Sequence, residues 1–291
     1  MRPGPKAAKQ FLLDLIEVDA PPRRAIDWLV QISLSEGWHR SEEEALEVAE
    51  RWKEEFMRLL REEISGCNRA GKFTPVALNS SSEEFIQGSA FSEPQEPQAI
   101  RSAKLRLARH GEYAEALRNL SPREFEALCA GLLHLLGVDN PRVTPYSSDE
   151  GIDFYGRLFL GKIIRPDLVF GGALTQMSAW LIGQAKHYTT GRISTFEVRE
   201  LVGAVELAKG GAFASLGHAY SDLKIRVCDP IFYLFFTTGR ITANSWRLLD
   251  RSGIAAMDGN AVASFLAEHA IGVTEDGFSL KGLREWLSVR G

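Results

Sequence analysis

Residues 180–186, Trp-Leu-Ile-Gly-Gln-Ala-Lys, form the segment of this sequence that decides the fold. The run opens with apolar and small residues, which is typical of a strand buried within a sheet. Gln184 and Lys186 then interrupt the apolar pattern. Because alternate side chains of a strand point to the same face, these two polar groups project together. A buried amide beside a buried ammonium needs partners or a chemical role.

Helix and strand patterns alternate on both sides of this segment, and Ser121 followed by Pro122 gives the clearest helix start. Apolar runs indicate strands, and apolar residues at helical spacing indicate helices. The predicted elements are, in chain order, a helix over 121–137, strands near 142–145 and 152–159, the strand at 180–186, a helix over 195–209, a strand at 231–236, a helix from about 242, a strand at 254–257 and a helix over 261–269. This order predicts an α/β fold with a mixed sheet flanked by helices.

The first 98 residues have a different character. Apolar residues at helical spacing predict helices near residues 11–16 and 23–35, and the capping box of Ser41 and Glu44 begins a long amphipathic helix. Serine-, proline- and glutamine-rich runs then suggest a linker. We expect a helical N-terminal module with its linker (1–98), an α/β domain (99–272) and a C-terminal tail (273–291).

Composition narrows the class of protein. The chain has 291 residues, 45% of them hydrophobic and 25% charged, as in soluble globular proteins. The sequence contains no apolar run of membrane-spanning length and no signal peptide, and its three cysteines are odd in number. These features predict a cytoplasmic protein without membrane association.

The charge is unevenly distributed along the chain. The net charge of −4 counts against a nucleic-acid binder. Residues 42–63 carry nine acids and four bases, whereas residues 101–118 carry five bases and two acids. The second segment could contact phosphates, although a solvated helix face explains it at least as well.

Asp153, on a predicted neighbouring strand, adds a carboxylate to the amide of Gln184 and the ammonium of Lys186. Such a group could bind a divalent cation and stabilise negative charge on a phosphate. A structural Lys–Asp ion pair explains the same residues equally well. The histidines and cysteines show no metal-ligand spacing.

Three segments carry a specific resemblance to a known family. They are Ser-Pro-Arg-Glu-Phe-Glu at 121–126, Asp-Glu-Gly-Ile-Asp at 149–153 and Gln-Ala-Lys-His-Tyr at 184–188. Together they resemble the Mrr-type restriction endonucleases, whose fold is PD-(D/E)xK, here in a Gln-x-Lys variant. The resemblance continues through 198–203, 235–242 and 253–259, about 150 residues in the right order.

The sequence departs from the family pattern at three places. Glu150 stands where the family usually has Gly, and His187 stands where it usually has Arg. Residues 157–178 have the pattern of an inserted hairpin before the motif strand. These departures remove no expected metal ligand, but they could alter the shape of the DNA groove.

The resemblance implies a restriction-endonuclease-like domain that hydrolyses phosphodiester bonds of DNA with Mg²⁺, or Mn²⁺ as a substitute, and leaves 5′-phosphate ends. Asp153 and Gln184 would bind the metal, and Lys186 would stabilise the transition state. Glu126 could supply the negative charge that Gln184 lacks. A surface glutamate in the first turns of a helix explains Glu126 about as well.

His187, Arg192 and Arg199 are the candidate DNA contacts, with a supporting role near the metal as the alternative for His187. The partners implied are DNA and, through the N-terminal module, a second copy of the chain or another protein. The family implies prokaryotic defence against foreign DNA, alone or as the effector of a larger complex. Two other interpretations stay open: a catalytically silent nuclease fold that binds DNA or a protein, and a repair or junction-resolving nuclease.

Overall fold

Two compact units, residues 1–111 and 112–291, make up the chain in this computed structural model. The first unit extends past residue 98, where the sequence suggested a boundary, because the helix that follows is bound to the preceding loop. Lys104 donates to the carbonyl oxygen of Phe91 (2.8 Å) and forms an ion pair with Glu96. The structure describes residues 2–69, 73–145, 151–161, 176–188, 192–209, 223–226, 228–274 and 277–290.

The first unit contains helices and a small antiparallel sheet. Its elements are α1 (Pro5–Leu15), β1 (Arg23–Arg24), α2 (Ala25–Ser35), α3 (Glu42–Arg69), β2 (Val76–Leu78), β3 (Phe85–Gly88) and α4 (Gln98–Leu107). The strands lie in the order β1-β3-β2, with Arg23 opposite Ile86 and Val76 opposite Gly88. The predicted helices are present, whereas the sheet was not predicted.

The predicted linker is the clearest error in this unit. Residues 79–98 begin in the turn between β2 and β3, and Glu93 is buried at 7% exposure. Its carboxylate accepts hydrogen bonds from Asn79 Nδ2 (3.2 Å), Gln87 Nε2 (3.1 Å) and the hydroxyl of Ser80. A polar composition was mistaken for flexibility, because these polar groups bind one another.

The second unit follows the predicted alternation. Its elements are α5 (His110–Arg118, which begins at the unit boundary), α6 (Pro122–Leu135), β4 (Arg142–Val143), β5 (Phe154–Phe159), β6 (Ser178–Lys186), β7 (Arg192–Ile193), α7 (Thr195–Lys209), β8 (Ile231–Thr237), β9 (Arg240–Ile241), α8 (Ala243–Ser252), β10 (Ala255–Met257), α9 (Gly259–Glu268), β11 (Val273–Thr274), β12 (Gly277–Phe278) and α10 (Leu280–Arg290). Helix α6 begins with a capping box, in which Ser121 Oγ accepts from the backbone N–H of Glu124 and the Glu124 carboxylate accepts from that of Ser121.

Strand β6 is central to a five-stranded sheet of order β10-β8-β6-β5-β4. It is antiparallel to β5 and parallel to β8, and β8 is parallel to β10. Gln184 lies opposite Phe235, and Lys186 lies opposite Thr237. The predicted mixed sheet flanked by helices is therefore confirmed.

Each face of the sheet supports its own apolar core. Leu181 and Phe236 pack with residues of α6, α9 and α10, whereas Trp180, Ile182 and Phe235 pack with residues of α7 and α8. This alternation puts Gln184 and Lys186 on the face that α7 and α8 cover, because they continue the series that starts at Trp180. Helix α6 covers the opposite face.

The predicted C-terminal tail is wrong. Residues 273–290 form a short hairpin followed by α10, and Leu283 and Leu287 are buried in the core that α6 shares. A Cβ atom on Gly131 of α6 would lie 2.5 Å from the Trp286 ring, so glycine allows the two helices to approach closely. The segment is an integral part of the second unit.

The predicted hairpin at 157–178 is only partly within the described residues. Strand β5 ends at Phe159 and β6 begins at Ser178, while residues 162–175 lie outside the described part. Across the helices of the described ranges, none is long and apolar enough to span a membrane.

Candidate active site

Asp153 is bound to strand β6 through the backbone on both sides of Gln184. Its N–H donates to the carbonyl oxygen of Gly183 (2.9 Å), and its carboxylate oxygen Oδ2 accepts from the N–H of Ala185 (2.7 Å). Asp153 immediately precedes β5, so the antiparallel pairing of β5 with β6 delivers its carboxylate to the polar end of the central strand.

Gln184 is 3% exposed, and its carbonyl oxygen Oε1 has no hydrogen-bond partner among the described residues. A buried acceptor without a partner costs about 1–3 kcal/mol of stability. Such groups are uncommon in native structures, and an ordered water, an ion or a catalytic role accounts for them where they occur. Gln184 Oε1 is therefore available as an oxygen ligand.

Lys186 occupies the last position of β6, and its backbone is held by strand β8. The carbonyl oxygen of Lys186 accepts from Thr237 Oγ1 (2.7 Å) and from the N–H of Thr238 (3.2 Å). Its Nζ atom lies 3.7 Å from Glu200 Oε2 of helix α7, and the side chain is 27% exposed. The ammonium is thus partly accessible on a fixed backbone.

Burial raises the pKa of Asp153 to about 6. The hydrogen bond from Ala185 and the charges of Lys186 and Arg123 act against that rise, whereas the negative charge of Glu126 adds to it. The carboxylate is therefore destabilised in its ionised form, and a cation beside it would relieve that cost.

Glu126 approaches Asp153 from helix α6. It pairs with Arg123 (2.7 Å), and the same guanidinium donates to the carbonyl oxygen of Thr144 (2.7 Å), whose N–H donates to the carbonyl oxygen of Asp153 (2.9 Å). The structure therefore brings Glu126 into the neighbourhood of Asp153. Its role as a replacement for a strand carboxylate stays a prediction.

The side chain of His187 contacts residues of helices α5 and α6. Its ring packs edge-on against Phe125, with centroids 5.9 Å apart, and Nε2 lies 3.2 Å from the carbonyl oxygen of Leu117. The imidazole is engaged with the helices of the opposite face, so the expected contact to DNA conflicts with this geometry. The sequence favoured the groove because it could not show which way the side chain turns after the strand ends.

Of the other residues singled out from the sequence, the structure describes some fully and others only in part. Arg199 is exposed on α7, and the backbone of Arg192 pairs with that of Arg240 between β7 and β9, while the side chain of Arg192 lies outside the described atoms. Asp149 and Glu150 lie outside the described residues as well.

Several residues near the site carried no functional prediction. Glu200 contacts Lys186, and Thr238 binds the backbone on both sides of Tyr188, since its Oγ1 accepts from Tyr188 N–H (2.8 Å) and donates to the Tyr188 carbonyl oxygen (3.0 Å). Both lie in segments that resemble the family, but a sequence pattern does not show which side chains meet. Within the described ranges, no three His, Cys, Asp or Glu side chains cluster closely enough to hold a metal ion.

Comparison with known proteins matches part of the second unit to a family. Residues 117–222, somewhat more than a third of the chain, match the restriction endonuclease family of the Mrr catalytic type. This match confirms, for this segment, the resemblance stated from the sequence. No curated protein sequence matches the chain.

Three solved structures are similar at low identity. They are the MspJI restriction endonuclease with a 27-mer oligonucleotide (15% identity, TM-score 0.40, 71% of this chain and 41% of that one), the DNA modification-dependent restriction endonuclease AspBHI (13%, 0.41, 74% and 59%) and the restriction endonuclease FokI bound to DNA (12%, 0.34, 91% and 45%). The chain thus spans about two fifths to three fifths of the length of these proteins.

We predict that Asp153→Asn raises the stability of the protein in the presence of a chelator. The folded-state pKa of about 6 lies above the ordinary value of 3.8, so ionised Asp153 destabilises the fold at pH 8, and this cost disappears below about pH 4, where the group is protonated in both states. Asparagine keeps an acceptor for Ala185 N–H without the charge. Thermal unfolding at pH 8 should show a higher Tm, by about 2–4 °C for each kcal/mol relieved.

The gain in Tm should shrink as the pH is lowered towards 4. Asp139→Asn is the control, because Asp139 is an exposed aspartate of the same unit. An equal or lower Tm for Asp153→Asn at pH 8 would show that the buried carboxylate does not destabilise the fold.

Proposed function

We propose that this protein is a metal-dependent DNA endonuclease of the restriction type. The observation that carries the proposal is the unpartnered, buried oxygen of Gln184 beside Asp153 and Lys186. These residues lie within the segment that matches the restriction endonuclease family. The substrate would be a DNA phosphodiester bond.

The donor atoms suit a hard divalent cation. Asp153 offers a carboxylate and Gln184 an amide oxygen, and oxygen ligands of this kind are preferred by Mg²⁺ and Mn²⁺. We therefore propose Mg²⁺ as the cofactor, with Mn²⁺ as a substitute. When bound, the cation would polarise the scissile phosphate and lower the pKa of a water molecule.

The protein side chains have separate roles in this proposal. Lys186 donates hydrogen bonds to a phosphate oxygen and stabilises the negative charge that develops there. Thr237 and Thr238 hold its backbone, so that the ammonium starts from a fixed position. Glu126 adds negative charge near Asp153 and strengthens the attraction for the cation.

The DNA contacts are proposed from where two arginines lie in the chain relative to Gln184 and Lys186. Arg199 is exposed on α7, the helix that covers the face of Gln184 and Lys186, and Arg192 lies in β7 just before that helix. The exposed guanidinium of Arg199, together with that of Arg192, would bind DNA phosphates near the scissile bond. His187 is assigned a packing role instead, in accordance with its contacts to Phe125 and Leu117.

The biological setting rests on the family resemblance alone. Defence of a prokaryotic cell against foreign DNA, action in the cytoplasm and service as the effector of a larger complex stay predictions. A repair or junction-resolving nuclease would use the same site chemistry. A catalytically silent module would bind DNA without cutting it, and the cleavage experiment below distinguishes it.

Replacing Lys186 tests the chemistry. The wild-type protein should nick or cut plasmid DNA with Mg²⁺ or Mn²⁺ and be inactive in a chelator. Lys186→Ala should lower the cleavage rate at least about a hundredfold, because a donor to the transition state is lost. DNA affinity should stay close to that of the wild type, since the interaction strengthens only in the transition state.

The control for this experiment is Lys281→Ala, which removes an exposed lysine of α10 that pairs with Glu285. It should cleave at the wild-type rate. Undiminished cleavage by Lys186→Ala would refute the site, and a wild-type protein that binds DNA but never cleaves it would favour the silent module.

The first unit is proposed to bind protein and not DNA. Each of the four basic residues between 42 and 63 is ion-paired with an acid: Arg51 with Glu47, Lys53 with Glu84, Arg58 with Glu55 and Glu62, and Arg61 with Glu83. Exposed acids such as Glu50 and Glu54 remain on α3, and the resulting negative surface would repel phosphates. Cutting both strands of a duplex favours two active sites, so the partner is a second copy of the chain or another component.

Deleting residues 1–98, the N-terminal module predicted from the sequence, tests this role, because the cut keeps the basic segment 101–118. The shortened protein should form a smaller assembly in solution or no longer bind its partner. Its DNA affinity should stay the same or increase. A large fall in DNA affinity at unchanged assembly mass would identify the first unit as a DNA reader. Light scattering and binding to a labelled duplex are the two measurements.

A further inference from the structure

We propose that Glu200 of helix α7 supplies the second carboxylate of the cation site, the one that Gln184 cannot provide. The inference rests on the proposed function, since it assigns a further ligand to the same cation. The acid that position 184 of strand β6 lacks would then come from helix α7, which covers the same face of the sheet.

The strand position itself is neutral. Gln184 contributes an amide oxygen that is buried and unpartnered among the described atoms. The strand therefore provides one negative charge fewer than it would with a glutamate at this position. The number of charged ligands is a main determinant of cation affinity. A cation site with one carboxylate and one amide would gain most from a second acid on the side of Lys186.

Helix α7 brings an acid to that side. Val198 and Leu201 of α7 are buried in the same core as Ile182, so the inner surface of the helix is fixed against the face of the sheet that carries Gln184 and Lys186. Glu200 lies between these two residues in the sequence, and its exposed side chain reaches the site from the edge of the helix, with Oε2 3.7 Å from Lys186 Nζ. The ammonium of Lys186 also acts electrostatically on Asp153, so Lys186 interacts with both carboxylates.

The other acid at this end of α7 is already engaged. Glu197 Oε2 accepts from the N–H (3.0 Å) and the hydroxyl of Ser194, an arrangement that caps the start of the helix. Glu200, by contrast, has a side chain that is 52% exposed and can turn towards a cation. Its 3.7 Å contact with Lys186 is an ion pair without hydrogen-bond geometry, and it can be exchanged for a cation at low cost.

Glu126 is less suited to this role. It is held by Arg123 at 2.7 Å and approaches from helix α6, which covers the opposite face of the sheet. It therefore adds charge on the side of Asp153, whereas Glu200 adds charge on the side of Lys186. Substitutions of Glu126 and of Glu200 are therefore expected to change cation affinity by different amounts.

The experiment measures Mn²⁺ binding to the full-length protein by isothermal titration calorimetry without DNA. Glu200→Gln should raise the Kd for Mn²⁺ by about tenfold or more, since even outer residues of metal sites change affinity by about 10–100-fold. Glu268→Gln, which replaces an exposed glutamate of α9, should leave the Kd unchanged. Glu126→Gln should have a smaller effect than Glu200→Gln.

A double variant that moves the carboxylate from position 200 to position 184 tests the ligand role itself. Gln184→Glu combined with Glu200→Gln returns the acid to the strand, and it should restore Mn²⁺ affinity and Mn²⁺-dependent cleavage towards the wild-type values. In a Lys186→Ala background, Glu200→Gln should still weaken Mn²⁺ binding, because a ligand does not act through the lysine.

The outcomes separate this inference from the proposed function. A wild-type protein that binds no Mn²⁺ would overturn both. Wild-type binding together with equal affinity in Glu200→Gln would overturn the role of Glu200 alone. The same conclusion follows if the Gln184→Glu exchange fails to rescue, or if the loss disappears in the Lys186→Ala background, since Glu200 would then only hold Lys186.

Discussion

The hydrogen bond from Ala185 N–H to the carboxylate of Asp153 is the interaction on which the candidate site depends. At 2.7 Å it joins the start of β5 to the polar end of β6, and it fixes the carboxylate beside the side chains of the two neighbouring positions. Strand β8 holds the same end of β6 from the other side through Thr237. The sheet register therefore determines which polar groups of the strands can meet, and helices α6 and α7 bring Glu126 and Glu200 to them.

Two polar groups of the candidate site lower the stability of the fold. Asp153 is buried enough that the pKa of its carboxyl rises to about 6, and Gln184 Oε1 has no partner in the described part of the chain. Strained or unsatisfied groups that persist in a well-packed sheet are expected at sites completed by a ligand.

Much of the second unit could be predicted from sequence because its central strands and main helices are long. The apolar run of β8 and the capping box at Ser121 each leave a pattern that local physics determines. Strands of two or three residues, such as β1 and β2, leave no periodicity to detect. The contact between Lys186 and Glu200 joins two elements, and the turn of His187 towards Phe125 depends on packing beyond the strand, so neither could be inferred from spacing.

The central claim is that Asp153 and Gln184 form an oxygen site for a divalent cation. Anomalous diffraction from crystals of the full-length protein grown with Mn²⁺ tests it most directly. The account predicts a manganese peak within about 2.0–2.6 Å of both an Asp153 carboxylate oxygen and Gln184 Oε1. A manganese ion bound elsewhere, or Gln184 Oε1 hydrogen-bonded within the protein while Asp153 contacts no ion, would contradict it.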